Sequence, residues 1–598
     1  MVSTNAMIIG VQGPEGSIKL KISETDTFSH IIKKIEESYP NLPVVYRLWR
    51  DPRKDEEILL SGMKHNFEFG DRIYVEFVQP RMIVTEDDVD KTIENNPGII
   101  NVEKTKECNH ANEVKCLKCC PIRVHESAYL DKIEPPLKYM SFHVFMRRLL
   151  DGCNNKNNFQ LDEIRCKLTP GCTNHQPYPA GICTKCQPPC LTLKHQEFRH
   201  VDNIMFEGHE DVDVFIGFWR RSMCQRIGYL YGKYEVLDNI PLGIRASVHC
   251  IYEPPQNNTF CSIKLLDDPF ENDFNTCAQA LGYKKVGWIL TDLLIDPQEK
   301  GNVMETRSAS TYHLSAQECI TAAHFQNLHP NICKYSPSGV FGSKFVTVVV
   351  TGNDKGQIDF HGWQVSNQCM ALVRDSCLVP TVDEPALAYV RESSHSQYVP
   401  DVFYQDEDEY KNKITKLARP VPVEYFLVDV PTGFPLNPTI QPKSSPFPVA
   451  NRNELGVFQT FNGFEDFIND PISSLKDLHL ISFLYSKLEP DLKEHLIDIC
   501  RYFSLNDHES LEAAISDYKF SNIITFIRLN QAVKSNESSM NQSNPQNSFP
   551  SPDQSSNRTV DQDNSMAPWA CPVCTYENLI PTHDDEGFLC CEMCRIPK

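Results

Sequence analysis

Paired cysteines are the residues of this sequence best equipped for chemistry. Near the C-terminus, Cys571-Pro-Val-Cys574 and Cys591-Glu-Met-Cys594 form two C-x2-C knuckles. Each knuckle sets two thiolates on one tight turn, and two turns complete a tetrahedral four-sulfur cage that suits Zn²⁺ and leaves no open position for catalysis. Cys590 is a competing ligand, though the two-residue spacing favours Cys591. Upstream, Cys108-Asn-His110 precedes Cys116-Leu-Lys-Cys119, and Cys172-Thr-Asn-His175 precedes Cys183-Thr-Lys-Cys186. Each of these groups offers three thiolates and one imidazole. In the second, both halves have turn-compatible spacing, and Pro177, Pro179 and Gly181 lie in the loop between them. The first has the less usual C-x-H, with Cys120 offering a neighbouring sulfur. Three structural zinc sites are expected, each supplying much of its local folding energy. On that reasoning Cys183→Ser should unfold the region from about residue 100 to 195.

Other reactive side chains point to no further chemistry. His209, His249, His313 and His361 are scattered, and a lone histidine is more often solvated or hydrogen-bonded than catalytic. Cys369 sits in an apolar run, where a free thiol behaves as a small hydrophobe. No Gly-rich phosphate loop is apparent, and Asp406-Glu-Asp-Glu409 reads as a solvated loop.

A chain of 598 residues exceeds what one hydrophobic core organises, so at least three folded units are expected. No run approaches the roughly 18 apolar residues of a membrane span, and the start, Met-Val-Ser-Thr-Asn-Ala-Met, does not read as a secretory signal. A reducing compartment follows, in which 24 cysteines imply metal sooner than disulfides. A formal charge of -21 opposes binding to a phosphate backbone, so nucleic acid is not an expected partner.

The elements that must position these residues follow from periodicity. Ser17 to Ile22 and Arg72 to Val78 alternate as strands, and Phe28, Ile31, Ile32 and Ile35 mark one face of a helix between them, with Thr25 or Asp26 as N-cap. That order is the order of a ubiquitin-like β-grasp. From Cys108 to Cys190 long periodic runs are scarce, so metal must organise much of the region. Strands (Gly228 to Gly232, Val286 to Leu290, Phe345 to Val350) and a helix from Ser315 to Gln326 predict an α/β core. A strand-like Tyr425 to Val430 then leads into helical patterns such as Leu488 to Phe503. Residues 531–567 are rich in Ser, Asn, Gln, Asp and Pro and read as a disordered linker. The expected fold class is multidomain α+β. Its units are a ubiquitin-like (UBX-like) domain over 1–80, zinc fingers over 100–195, a central domain over 196–420 and a helical domain over 421–530; the tethered zinc finger follows over 568–598.

Taken together, Gly181 to Gln187, Arg199 to Met205, Gly228 to Gly232, Ile240 to Ala246, Tyr252 to Gln256, Phe341 to Val346, Val365 to Asp375 and Gln397 to Phe403 resemble the nuclear protein localisation protein 4 family, over nearly the whole chain. The resemblance implies a ubiquitin-binding adaptor of the hexameric AAA ATPase called valosin-containing protein. It further implies a heterodimer with the ubiquitin fusion degradation protein and a place in cytoplasm and nucleus, with recruitment to the endoplasmic reticulum. The N-terminal fold and upstream zinc fingers would contact the ATPase, and the central part would be an MPN domain. The terminal module resembles the Npl4-type zinc finger, which implies that Thr575, Tyr576 and Met593 touch the apolar patch of ubiquitin. Tyr576 replaces the usual Phe, and the loop from Cys574 to Cys591 is longer than is typical.

MPN folds include zinc isopeptidases, which need an H-x-H at a strand end and an Asp around a metal with an open water position. Here that stretch reads Ile289-Leu-Thr-Asp292, without either histidine, and Ser315-Ala-Gln-Glu318 only echoes the accompanying Ser-x-x-Asp. A non-catalytic scaffold is expected. The missing histidines argue against an isopeptidase, and the net charge argues against a zinc-finger nucleic-acid binder.

Overall fold

The computed structural model describes residues 6–13, 16–23, 31, 34–35, 46–49, 71–77, 87–101, 108, 120–130, 138–153, 159–169, 172, 174–299, 301–381, 383–407, 410–435, 447–540, 569–570, 577–578, 582–583 and 589–590. At the N-terminus, β1 (Ala6–Gly13), β2 (Gly16–Ser23), β3 (Tyr46–Trp49) and β4 (Arg72–Phe77) form a sheet of order β2-β1-β4-β3. β1 runs antiparallel to β2 and parallel to β4. The period of two puts Ile9, Val11, Leu20, Ile22 and Ile73 in the core, joined by the helical residues Ile31 and Ile35. Phe28 and Ile32 lie outside the described residues.

Two helices that the sequence reading did not anticipate lie upstream of the centre: α1 (Asp88–Asn95) and α2 (Phe142–Asp151). The span to 195 is therefore not organised by metal alone. Phe142 and Met146 of α2 share an apolar cluster with Leu161, Phe198 and Cys333.

The central body is built on β5 (Asn203–Phe206), β6 (Ile227–Leu237), β7 (Gly243–Tyr252), β8 (Lys284–Asp292), β9 (Val346–Gly352), β10 (Ile358–Val365), β11 (Leu427–Val430) and β12 (Thr432–Gly433). Their order is β11-β10-β9-β8-β6-β7-β5-β12. Only Pro431 separates the strands at the two ends of that order, so the sheet must curl until one segment borders both edges. Gly362 marks the closure, since a Cβ there would meet the Val430 carbonyl from one edge and Ile204 from the other. The boundary expected at 420 is thereby corrected: residues 427–433 belong to the central sheet and the helical part begins after them.

Both faces of this sheet are covered, which is why its central strands are rich in apolar residues. Tyr229, Tyr231, Trp288, Leu290 and Val349 point into one core. Leu230, Ile289, Val348 and Val350 point into the other, against Val212, Phe215 and Trp219 of α3 (His209–Ser222). The first core includes α4 (Glu271–Ala280) and α5 (Ala316–Leu328), and continues without a break into α6 (Leu478–Lys487), α7 (Pro490–Ser504), α8 (His508–Ser516) and α9 (Tyr518–Met540). A second correction follows. α9 runs through Met540, past the linker start expected at 531, and Gln531 of that helix donates to the Phe461 carbonyl at 2.9 Å. Low apolar content excludes a core, not a helix. Residues 541–567 lie outside the described residues.

Candidate metal centre

Cys172, His175, Cys183 and Cys186 converge, with one ligand atom from each lying within 4.8 Å of the others. The Cys172 and Cys183 sulfurs are 3.5 Å apart, Cys183 and Cys186 3.8 Å, and His175 Nε2 lies 3.1 Å from Cys186 Sγ. Tetrahedral zinc with thiolate and imidazole ligands sets such edges at roughly 3.6–3.8 Å, which the two sulfur–sulfur distances match, while the His175 edge is shorter. The Gln176 carbonyl accepts from His175 Nδ1 at 2.6 Å, which leaves Nε2 with its lone pair toward the sulfurs. The Cys183 thiol is pushed down to about 6, chiefly by the N–H groups of Cys186 and Lys185, which favours the thiolate that a metal needs. Gly181 keeps this turn tight: a Cβ there would lie 3.0 Å from both the Gln176 carbonyl and His175 Cβ, so the neighbours would have to give by a few tenths of an ångström.

The hairpin is docked on the central body. Gln187 Nε2 donates to the Tyr398 hydroxyl at 2.7 Å, the Tyr178 hydroxyl donates to the Ser394 carbonyl, and the two tyrosine rings meet edge-on at 6.2 Å. Just upstream, the Cys166 N–H donates to Asp375 at 2.8 Å, and Arg374 donates to the Ile164 carbonyl at 2.7 Å. A metal bound here would be fixed to the sheet and not carried on a swinging arm.

The end of β8 holds a cluster of ion pairs. Asp292 accepts from Arg307 Nε at 2.7 Å and from the Thr306 hydroxyl at 3.0 Å. The other two Arg307 nitrogens donate to the two Glu318 oxygens, each at 2.7 Å. Ser315 and Glu318 form a capping box at the start of α5. The Ser-x-x-Glu spacing thus serves a helix end and an ion pair, and Arg307 is buried between two carboxylates that raise its already high pKa.

Two family models match. One described as "NPL4 family" covers residues 226–528, and one described as "NPL4 family, putative zinc binding region" covers residues 84–223. This chain belongs to the NPL4 family. The nuclear protein localization protein 4 homolog of Rattus norvegicus is 42% identical over 512 residues, covering 80% of this chain and 84% of its own. The Drosophila melanogaster homolog is 46% identical over 428 residues, 70% of this chain and 65% of that one. Nuclear protein localization protein 4 of Saccharomyces cerevisiae is 35% identical over 435 residues, 69% of this chain and 74% of its own.

In this NPL4 family member, the four converging side chains lie within the residues matched by the zinc-binding-region model. Of the other expected ligands, Cys108 alone is described, half-buried in irregular chain; His110, Cys116 and Cys119 lie outside the described residues. So do Cys571, Cys574, Cys591, Cys594, Thr575, Tyr576 and Met593. The described parts of the terminal module are two ribbons, Trp569–Ala570 with Glu577–Asn578 and Thr582–His583 with Leu589–Cys590. Cys590 ends a strand, opposite Thr582. Among the lone residues, Cys369 is fully buried, His313 stacks on Trp363, and His249 packs on Tyr283. Arg307 was missed in the sequence because its partners lie 15 positions upstream and 11 downstream, and no local pattern links them.

Proposed function

We propose that the chain is a non-catalytic adaptor that binds polyubiquitinated proteins and delivers them to the AAA ATPase valosin-containing protein for unfolding and degradation. It would act as a heterodimer with the ubiquitin fusion degradation protein, in cytoplasm and nucleus and at the endoplasmic reticulum surface. On this reading the N-terminal sheet, of order β2-β1-β4-β3, is a β-grasp that docks on the ATPase. Cys108, His110, Cys116 and Cys119 hold one zinc; Cys172, His175, Cys183 and Cys186 hold a second, on the docked hairpin. Cys571, Cys574, Cys591 and Cys594 hold a third, and the module they form presents Thr575, Tyr576 and Met593 to ubiquitin.

The observation that carries binding over hydrolysis is the Arg307 ion pair. A guanidinium joined to Asp292 and Glu318 stands at the strand end where a hydrolase of this fold would converge imidazoles on a metal. Family membership supports the adaptor reading for the chain as a whole. The test is one gel. Polyubiquitin is incubated with the full chain, with and without a zinc chelator, and both capture and chain length are followed. Capture of intact chains that weakens on chelation is the expected result; chelator-sensitive shortening of the chains would overturn the reading.

A further inference from the structure

Helix α1 is attached to the central body in an unusual way. It has just two apolar side chains, Val89 and Ile93, both buried. Its carboxylates do the rest. Asp87, at the N-cap, meets Lys284 at 2.5 Å and Lys344 at 2.7 Å. Asp90 pairs with the same Lys344 and, at 2.9 Å, with His143 of α2. Glu94 meets Lys334 at 2.6 Å. At the other end, Arg147 of α2 donates to the Ile93 carbonyl at 2.9 Å and to the Asn96 carbonyl at 2.5 Å, which caps the helix C-terminus with a cation. The positions 87, 90 and 94 share one helix face, and the lysines facing them come from three separate parts of the body: the start of β8, the residues before β9, and the loop after α5.

An eight-residue helix is not stable alone in water, so α1 exists only while it is docked. With two apolar anchors and three acidic ones, its attachment depends on charge more than that of any core helix described above. Lys284 and Lys334 are each half-exposed, open to solvent and to neutralisation, whereas Lys344 is buried at the centre. α1 is also the first described element after the N-terminal sheet, which ends at Phe77.

We propose that residues 87–98 form an ionic clasp: a local unit that releases ahead of the central body when the Lys284 and Lys334 pairs are neutralised, and that sets how far the N-terminal sheet can reach. Released, residues 87–98 would become a flexible coil with a root-mean-square span of about 20 Å, ahead of Ile99 and Ile100, which stay paired with Arg123 and Ile122. The N-terminal sheet would then sample positions that the docked clasp forbids. The inference does not depend on what the N-terminal sheet binds.

The experiment is hydrogen exchange by mass spectrometry on the full-length chain. It compares wild type, Lys284→Gln with Lys334→Gln, and a control, Lys355→Gln, in an exposed turn elsewhere. Removing two half-exposed pairs should raise exchange at amides 90–98 by roughly three- to tenfold. Peptides covering Val346–Gly352 should be unchanged, and the control should match wild type. The swapped pair, Lys334→Glu with Glu94→Lys, should restore most of the protection that Lys334→Glu alone removes. Unchanged exchange at 90–98 in the double variant, an equal rise in the central strands, or no recovery in the swapped pair would each overturn the clasp.

Discussion

Replacement of Cys183 by Ser tests how far the metal hairpin carries the fold. The substitution removes one of four converging donors, and structural zinc contributes an apparent ~10 to 16 kcal/mol to the folding of small modules. Against that stand the contacts that would remain: two tyrosine hydrogen bonds, the Thr169 N–H donating to Cys186, and one edge-on ring pair. At about 1 kcal/mol each, these sum to roughly a third of the zinc contribution. The hairpin should therefore open. The structure narrows the extent expected from sequence, since α2 packs in its own apolar cluster and α1 is held by the lysines of the central body. Loss of protection should stay within about residues 170–190, and should not spread over 100–195. The assay is zinc content per chain by elemental analysis together with limited proteolysis: one equivalent lost, and new cleavage confined to that hairpin. Unchanged zinc and unchanged cleavage would refute the ligand assignment; collapse of α2 as well would refute the argument that its apolar cluster stands without metal.

Glu253 is buried between Arg226 and Arg452, with nitrogen–oxygen distances of 2.9 and 3.0 Å to their Nε atoms, and Glu253→Gln would leave Arg452 without a counter-charge and Arg226 with only the 3.8 Å contact to the half-exposed Glu454. A loss of about 3 to 5 kcal/mol, read by denaturant unfolding, is expected. His200 is wholly enclosed against Phe142 and its pKa falls to about 3 because burial disfavours the charged ring. The unfolded chain takes up that proton below about 6.5 while the native state does not, so stability should fall by on the order of 2 to 3 kcal/mol from pH 6.5 to 4.5. His200→Phe should flatten that slope. Asp90 acts in the same sense at lower pH: burial raises its pKa, but the His143 and Lys344 contacts outweigh this and hold it low. Its stabilising contribution is therefore present above the ordinary carboxylate range and lost only in stronger acid, which Asp90→Asn would reveal as a smaller acid transition. Thr575→Ala with Met593→Ala should weaken capture of polyubiquitin about tenfold or more, measured by pull-down, without altering the melting of the central body.

Much of the architecture is legible in local pattern. Ser315 and Glu318, three apart, announce a helix start and form its capping box. The apolar runs at Val286 and Val346 give the central strands, because a strand covered on both faces needs apolar residues at every position. α1 is not legible for the opposite reason. α1 has two buried apolar residues, too few for a period of 3.6 to stand out, and its acidic positions acquire meaning only beside lysines about 200 residues away. The extension of α9 past 531 is hidden because polar composition argues against a core without arguing against a helix.

Chemistry and identity are thus properties of short stretches of chain: the C-x2-C spacing that places two sulfurs on one turn, the missing H-x-H, and the runs that mark the NPL4 family. Other features exist only once distant segments meet. Curling of the sheet brings residues 427–433 against both of its edges, Arg307 joins Asp292 to Glu318, and Tyr178 and Gln187 reach residues 394 and 398. A turn is decided by its own few residues, whereas a buried charge is tolerable only where the fold delivers its partner, and the positions of such partners are set by the packing of the whole core.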